Sequence, residues 1–350
     1  MAIIKRIEDS VLSVDPMVDA MTRLLCEGYG LMPCQRVCAC SIGLINSTYD
    51  VDSIWIVQRV NPIFGANVND DIAFLTPILR ARGVNVPVLC RALNGANCVE
   101  GACYGLPDGI YRVMTKLEGK TRCFAENIEQ VRSLSRGLAR FHRALEDVSY
   151  VFSHTRPQVH DFYRHRAGLE QALQTHQKHP QYVRMKRLAE RMKNMERGIP
   201  KDSILSCEKR RIIHGDPKIS NFMFQNDEVT GVVDLDTMAS SLVSFDVGDA
   251  IRSWCNPRTE SDEPEFNLEY AREVLGEYEE NSANLTREER ALLKPSAPYI
   301  VLELAMRFAR DALCEDYFGF DPKIGHAEHS ARRAEAMAAL CDQMLASNFV

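Results

Sequence analysis

The stretch IIHGDPKISNFMF, residues 212–224, places a cluster of polar side chains between two apolar runs. Ile212-Ile213 and Phe222-Met223-Phe224 have the pattern of short buried strands. His214, Asp216, Lys218 and Asn221 then fall on the loop between them, where a scaffold can hold them rigidly. A second apolar run follows in GVVDLDT, residues 231–237, and ends on Asp234 and Asp236. A loop carboxylate, an amide oxygen and a strand-end carboxylate can converge at one mouth. Each residue alone has an ordinary reading: Asp216 as a turn former, His214 as a packing residue, Lys218 as a solvated charge. Their joint spacing outweighs those readings.

Oxygen ligands of this kind suit a hard cation such as Mg²⁺, which keeps several waters and takes one or two carboxylates plus substrate phosphates. Asn221 and Asp234 are the metal-binding candidates, and Asp236 is a second-rank one that equally suits a supporting hydrogen bond. Asp216 is left to accept a proton from a hydroxyl, and Lys218 is grouped with it as catalytic. The spacing H-x-D-x-x-x-x-N followed by a strand-end Asp is the catalytic pattern of kinases.

The bulk numbers set limits. A chain of 350 residues suggests about two domains or lobes. With 45% hydrophobic and 26% charged residues, neither global disorder nor a fibrous repeat is expected. The net charge of -6 and the lack of a sustained Lys/Arg block argue against a nucleic-acid partner. No apolar run approaches the ~18 residues of a membrane span. The N-terminal MAIIKRIEDSVLSVDPM lacks the apolar core of a signal peptide. The twelve cysteines form no paired C-x-x-C units, so they read as reduced thiols of a cytoplasmic protein rather than a zinc site.

Outward from the loop, the pattern changes along the chain. Residues 15–30 have helical spacing. From Val37 the residues alternate and are rich in β-branched and aromatic types, as strands are, with a turn at Asp50–Ser53. Residues 67–82 return to helix; Val86–Arg91 and Tyr111–Leu117 read as strands around a Gly-rich hairpin loop. Glu118-Gly119-Lys120 reads as a linker. Residues 126–145 form an amphipathic helix, further helices run to about 199, and helices resume from Val247. The expected fold is α+β: a small antiparallel-sheet N-terminal lobe over 1–117 and a larger, mostly helical C-terminal lobe over 118–350.

HGDPKISNFMF with GVVDLDT resembles the aminoglycoside phosphotransferase and choline kinase superfamily. Within it, INSTYDV, IWIVQRVN, YRVMTKLEG, VDLDTMASSLVSFDVGDAIR and LELAMRFARDALCEDYF resemble N-acetylhexosamine 1-kinases over residues 35–345. The resemblance implies a protein-kinase-like two-lobed fold and an ATP- and Mg²⁺-dependent kinase, with Asp216 as general base and Asn221 and Asp234 on the metal. The first lobe would hold the nucleotide. It lacks G-x-G-x-x-G, and the phosphate-loop candidate is SIGLINST, with Gly43, Asn46, Ser47 and Thr48. Arg59 stands where a kinase has its phosphate-pairing lysine, with Asp70 as expected partner and Asp71 nearly as plausible. Met114 and Lys116, in the 114–117 stretch, would line the adenine pocket through backbone groups.

The acceptor would lie against the helical lobe near Asp216. Asp249, Arg252 and Arg307 are the substrate-binding candidates, although each arginine equally suits pairing with a local acid, and His160-Asp161 is in reach; Asp246 reads more as a helix-start residue. The favoured acceptor is a small sugar, an N-acetylhexosamine phosphorylated at its anomeric hydroxyl. Another sugar, an aminoglycoside or choline is the alternative, and so is a non-catalytic binding protein of the same fold.

Overall fold

The computed structural model describes residues 15–40, 45–154, 159–282, 284–347 and 349. Gly43, the only glycine of the expected phosphate loop, lies outside them. The chain divides into two compact units: residues 1–66 with 89–116, and residues 67–88 with 117–350.

The first unit begins with α1 (Pro16–Arg23), capped by Asp15 and with Pro16 at its first position, which runs into a π-turn over Leu24–Gly28. A five-stranded antiparallel sheet follows, in the order β1 (Val37–Cys40), β2 (Ser47–Val51), β3 (Trp55–Arg59), β5 (Ile110–Thr115), β4 (Val99–Glu100). The β2–β3 turn uses Asp52 and Ser53 at φ 53° and 59°, a left-handed conformation that Asp tolerates. Directly paired residues share a face. Tyr49, Val57 and Val113 line up on one face, and with Val51 and Tyr111 they bury against Ala20, Met21, Leu24 and Leu25. Thr48, Gln58 and Arg112 line up on the opposite face. That alternation gives the sheet an α1-covered apolar face and a mixed one, where Thr48, Asp50, Gln58 and Arg112 lie beside Ile56 and Met114.

Val86–Arg91 is not the expected strand. Only Leu89 makes an isolated bridge, to Met114, because Pro87 has no N–H to continue a ladder.

The second unit starts with α2 (Val68–Ala81). It is tied down by Asp71, which accepts from Tyr150 Oη and the Ser153 and His154 amides at 2.7–2.8 Å. After α2, Asn85 donates to the Thr230 carbonyl and accepts the Val232 amide. These bonds explain why residues 67–88 group with the second unit although the sequence reading kept all of 1–117 together. The helices are α3 (Ile128–Ala144), α4 (Phe162–Thr175), α5 (Tyr182–Met195), α6 (Lys201–Ser206), α7 (Val243–Trp254), α8 (Leu268–Asn281), α9 (Arg287–Leu293), α10 (Ser296–Cys314) and α11 (His326–Ala346). α10 is the central one, buried along most of its length and packed against α4, α5, α7 and α11. Two small ribbons carry the polar loop: β6 (Arg211–Ile213) with β9 (Ala239–Ser241), and β7 (Phe222–Gln225) with β8 (Glu228–Val232). The expected linker is pinned to β7, since Lys120 and Phe224 exchange both backbone bonds at 2.9 Å. α7 starts at Val243, four residues before the sequence suggests, because the apolar Val243 and Phe245 bury as well as Val247.

Candidate active site

The loop between β6 and β7 is held from below by a single carboxylate. Asp246, on the first turn of α7, does not cap its helix. Its Oδ2 accepts the His214 amide at 2.7 Å and its Oδ1 accepts the Gly215 amide at 2.8 Å. His142 Nε2 lies 2.9 Å from the same Oδ2, and His142 Nδ1 lies 2.7 Å from Tyr278 Oη. Burial opposes the Asp246 charge, but the His142 hydrogen bond and the neighbouring histidines overcome it and hold the carboxyl below the usual range. α7 braces the loop twice more: Trp254 donates to the Pro217 carbonyl at 2.9 Å, and Ser253 Oγ accepts the Ile219 amide at 3.0 Å.

His214 is fully buried. Its Nε2 faces the Val233 carbonyl at 3.0 Å, and its Nδ1 accepts the Asp216 amide at 3.3 Å. A carbonyl only accepts, so the proton sits on Nε2. His214 thus clasps the two arms of the site, the loop and the β8 end. Gly215 has φ +82°, and a Cβ there would lie 2.2 Å from the Thr237 carbonyl oxygen. No other residue fits that turn without displacing Asp216.

The structure brings Asp216, Lys218 and Asn221 together. Lys218 Nζ donates to Asp216 Oδ2 at 2.5 Å, and the Asn221 amide donates to the Asp216 carbonyl at 2.7 Å and to Oδ2 at 3.2 Å. Burial works against the Lys218 charge, but Asp216 and Asp234 more than restore it. Asp216 Oδ1 takes no part in these bonds. With its amide group donating, Asn221 presents Oδ1 as an oxygen ligand.

Asp234 lies two residues past β8 at φ 62°, a conformation that costs a non-glycine residue of order 1 kcal/mol or more. Burial and the charges of Asp236 and Asp216 raise its pKa, and Lys218 only partly offsets them. Among the described residues no group of three His, Cys, Asp or Glu side chains is spaced to hold a metal ion by itself. Asp234 and Asn221 supply one carboxylate and one amide oxygen, the donor types that Mg²⁺ takes when water and phosphates complete its shell.

The expected acceptor residues fare differently. Arg252 is buried and committed: Nε donates to Asp249 Oδ1 at 2.6 Å and Nη1 to Glu260 Oε1 at 2.9 Å, with Arg333 beyond. Arg307 lies 3.6 Å from Glu303 and stacks over Tyr317 and Phe318. Both arginines thus pair with local acids rather than standing free for sugar oxygens. Asp249 Oδ2, by contrast, is a buried oxygen with no hydrogen-bond partner. Burial raises the Asp249 pKa and Asp216 adds to it, against Arg252. His160 Nδ1 sits 3.2 Å from Glu303 and its ring 4.8 Å from Phe245. Asp161 caps α4. Glu303 itself, 1% exposed and facing His160, His165 and Arg307, escaped the sequence reading. So did the His142–Asp246 brace; its only signal was a histidine beside the apolar stripe of α3.

In the first unit, Asn46 Oδ1 accepts the Asn61 amide and Thr48 Oγ1 accepts from Gln58. Ser47 opens β2. Lys116 is doubly occupied: its ammonium pairs with Asp50 at 2.7 Å and its amide donates to the Ile54 carbonyl. Met114 is buried in β5 opposite Ile56. Arg59, on β3, pairs across to Tyr111 and so shares the apolar face. Arg59 and Asp70 belong to different units.

Solved structures share this fold. A microcompartment-associated aminopropanol kinase aligns with a TM-score of 0.62 at 15% identity, over 94% of this chain and 98% of that one. The GDP complex of an aminoglycoside 2'-phosphotransferase aligns at 0.57 and 15%, over 94% and 98%. An amicoumacin kinase bound to AMP-PNP and Ca²⁺ aligns at 0.59 and 15%, over 88% of each chain. The fold is therefore kinase-like, a small antiparallel sheet with a larger helical part. The model of the phosphotransferase enzyme family matches residues 36–282, which contain the whole Asp216 loop and Asp234. This chain belongs to the phosphotransferase enzyme family and is a small-molecule phosphotransferase.

Proposed function

We propose that the protein transfers the γ-phosphoryl group of ATP to the anomeric hydroxyl of an N-acetylhexosamine, giving the sugar 1-phosphate and ADP. The observation that carries the transfer is the Asp216 carboxylate, clamped on one oxygen by Lys218 and Asn221 and presenting the other. Asp216 takes the proton of the acceptor hydroxyl as its oxygen attacks phosphorus and the bond to ADP breaks. Lys218 keeps the Asp216 side chain oriented. Asn221 and Asp234 would hold Mg²⁺, which supplies charge neutralisation at the phosphate oxygens when bound. The first unit, with Asn46, Ser47 and Thr48, is assigned the nucleotide.

The sugar assignment rests on the resemblance of five stretches of sequence and on Asp249. With Arg252 and Arg307 paired, the hydrogen-bonding group left for the acceptor is the unpartnered Asp249 Oδ2. A buried acceptor oxygen suits a sugar hydroxyl. It suits an ammonium equally, and that favours a second reading, an amino alcohol or amino sugar antibiotic; the aminopropanol and amicoumacin kinases share this fold. Choline has no N–H to offer and fits less well. Twelve cysteines without a disulfide accord with a cytoplasmic setting.

The test is ADP release from Mg-ATP with N-acetylglucosamine, N-acetylgalactosamine, other free sugars, an amino alcohol, an aminoglycoside and choline, with Asp216→Asn in parallel. Turnover on an N-acetylhexosamine that vanishes in the variant supports the proposal, and NMR of the product places the phosphate. Turnover only on an amine-bearing acceptor replaces it with the second reading. No turnover and no Mg-ATP binding leaves a non-catalytic binding protein.

A further inference from the structure

We propose that Glu260 is a positioning residue for the acceptor: acting through Arg252, it keeps Asp249 Oδ2 open. The inference rests on the reading above, in which Asp249 Oδ2 meets the acceptor. Glu260 lies on the loop between α7 and α8, and it escaped the sequence reading. That loop is tied off at its base, where the Asn267 amide donates to the Cys255 carbonyl at 2.8 Å. Gln343 of α11 clasps it there, accepting the Phe266 amide at 2.7 Å and donating to the Pro264 carbonyl at 2.9 Å. The acids of the loop divide. Glu265 pairs with Arg258 at the surface, and Asp262 accepts from Thr259. Glu260 instead reaches two buried arginines on other elements. Its Oε1 accepts Arg252 Nη1 of α7 at 2.9 Å, and its Oε2 accepts Arg333 Nε of α11 at 3.1 Å as well as Arg333 Nη2. Arg333 has a fixed seat of its own, with its guanidinium carbon 3.8 Å from the centre of the Phe308 ring. Burial opposes the Glu260 charge, but Arg333 and Arg252 more than offset it and hold the carboxyl down to about 2. Lys218 adds to that effect, so this carboxylate is within electrostatic reach of the catalytic loop.

Asp249, Arg252, Glu260 and Arg333 thus form a row of alternating charge, and the row is incomplete at its inner end. Arg252 Nε donates to Asp249 Oδ1 at 2.6 Å, while Asp249 Oδ2 is buried with no hydrogen-bond partner. A guanidinium beside a carboxylate commonly grips both oxygens with two parallel N–H donors. Here one terminal nitrogen of that fork is turned the other way, to Glu260. The remaining bond to Asp249 occupies one oxygen and leaves the second for a hydroxyl or an ammonium group of the acceptor. Without the Glu260 carboxylate, the fork is free to turn onto both oxygens of Asp249. Arg252 would then fill the place that the acceptor needs. Glu260 touches no reacting atom in this account; it sets what Arg252 does.

The experiment is steady-state phosphoryl transfer by the full-length protein, with N-acetylglucosamine and with an amino alcohol as acceptor, and a thermal melt of each variant. The variants are Glu260→Ala, Glu260→Gln, Asp249→Asn and the double variant Glu260→Ala with Asp249→Asn. Glu260→Ala should raise the acceptor KM roughly tenfold, the worth of one hydrogen bond to a charged group, and leave the KM for Mg-ATP unchanged. Glu260→Gln keeps an oxygen for Arg252 and should raise the acceptor KM less; it carries the test if Glu260→Ala does not fold. In the Asp249→Asn background, Glu260→Ala should add nothing, because both changes disable the same contact. The inference is overturned if neither Glu260 variant raises the acceptor KM. It is overturned equally if the KM values for acceptor and Mg-ATP rise together, as loosened folding would make them, or if the effects of Glu260→Ala and Asp249→Asn multiply. An acceptor KM unmoved by Asp249→Asn, or no turnover of either acceptor by the wild type, would instead overturn the reading of Asp249 beneath it, and the role of Glu260 would fall with that reading.

Discussion

The Asp216 loop and the mixed face of the first sheet place their charges by different means. In the loop, neighbours in sequence are neighbours in space: Asp216, Lys218 and Asn221 meet within six residues. On the sheet, Thr48, Gln58 and Arg112 come from three strands separated by up to 64 positions, and only strand register unites them. The loop is braced from beneath by buried groups, and errors there should be expensive. On the sheet face Gln58 bridges Thr48 and Arg112, and a partly exposed ion pair joins Asp50 to Lys116, where an error should cost little.

The largest effect should come from Asp216→Asn. Removing a general base costs about 10²–10⁴ in kcat; the amide preserves shape but takes the counter-charge from Lys218, so the melting temperature should fall only modestly beside that loss. Rapid-quench measurement of phosphoryl transfer together with a thermal melt checks both halves. A large loss of stability would mean that Asp216 is a structural member of the loop.

Asp246 is the reverse case. Asp246→Ala leaves the amides of His214 and Gly215 and the ring of His142 without their acceptor. Breaking such a buried charged network costs about 3–5 kcal/mol, readable as a shift in urea unfolding. The pH dependence has a definite sign. The native pKa of Asp246 lies below its unfolded value, near 3.9 for a free Asp. Its stabilisation is therefore complete above about pH 4 and is lost as pH falls through the native value. The stability gap between wild type and Asp246→Asn should be constant from neutral pH down to that point and shrink below it. A gap that widens on acidification would show that the carboxylate is not the ionised brace.

Gly215→Ala should cost about 1–3 kcal/mol, for a residue forced into a left-handed turn and a methyl set against the Thr237 carbonyl. Because relief of that contact moves Asp216, kcat should fall by more than the Michaelis constant rises. Equal changes in both would place the glycine's role in folding alone.

The contrast also explains what could be read in advance. The H-x-D-x-x-x-x-N spacing puts Asp216, Lys218 and Asn221 on one loop, where they do meet because that loop is locally determined, and the antiparallel sheet is visible in its alternation. Asp246 was visible only as a helix-start acid, since its partners lie 31–104 positions away. Val86–Arg91 looked like a strand because its composition is right, and Pro87 prevents the ladder. Arg59 and Arg112 are equally basic in sequence. Only the pairing of β3 with β5 says which face each one joins, and a shift of one residue would exchange them.

The smallest predicted effect tests the sheet side of the comparison. Asp50 and Lys116 pair at 2.7 Å, but their side chains are 21% and 32% exposed. Solvent screens such a pair, and double-mutant cycles on exposed pairs give about 0.2–1 kcal/mol. Asp50→Asn should therefore cost no more than that in urea unfolding. A loss of stability comparable with that of Asp246→Ala would mean that the mixed face is a buried structural network like the loop's foundation. The division between a braced loop and an adaptable sheet face would then fall, because both would depend on buried polar groups that cannot be changed singly.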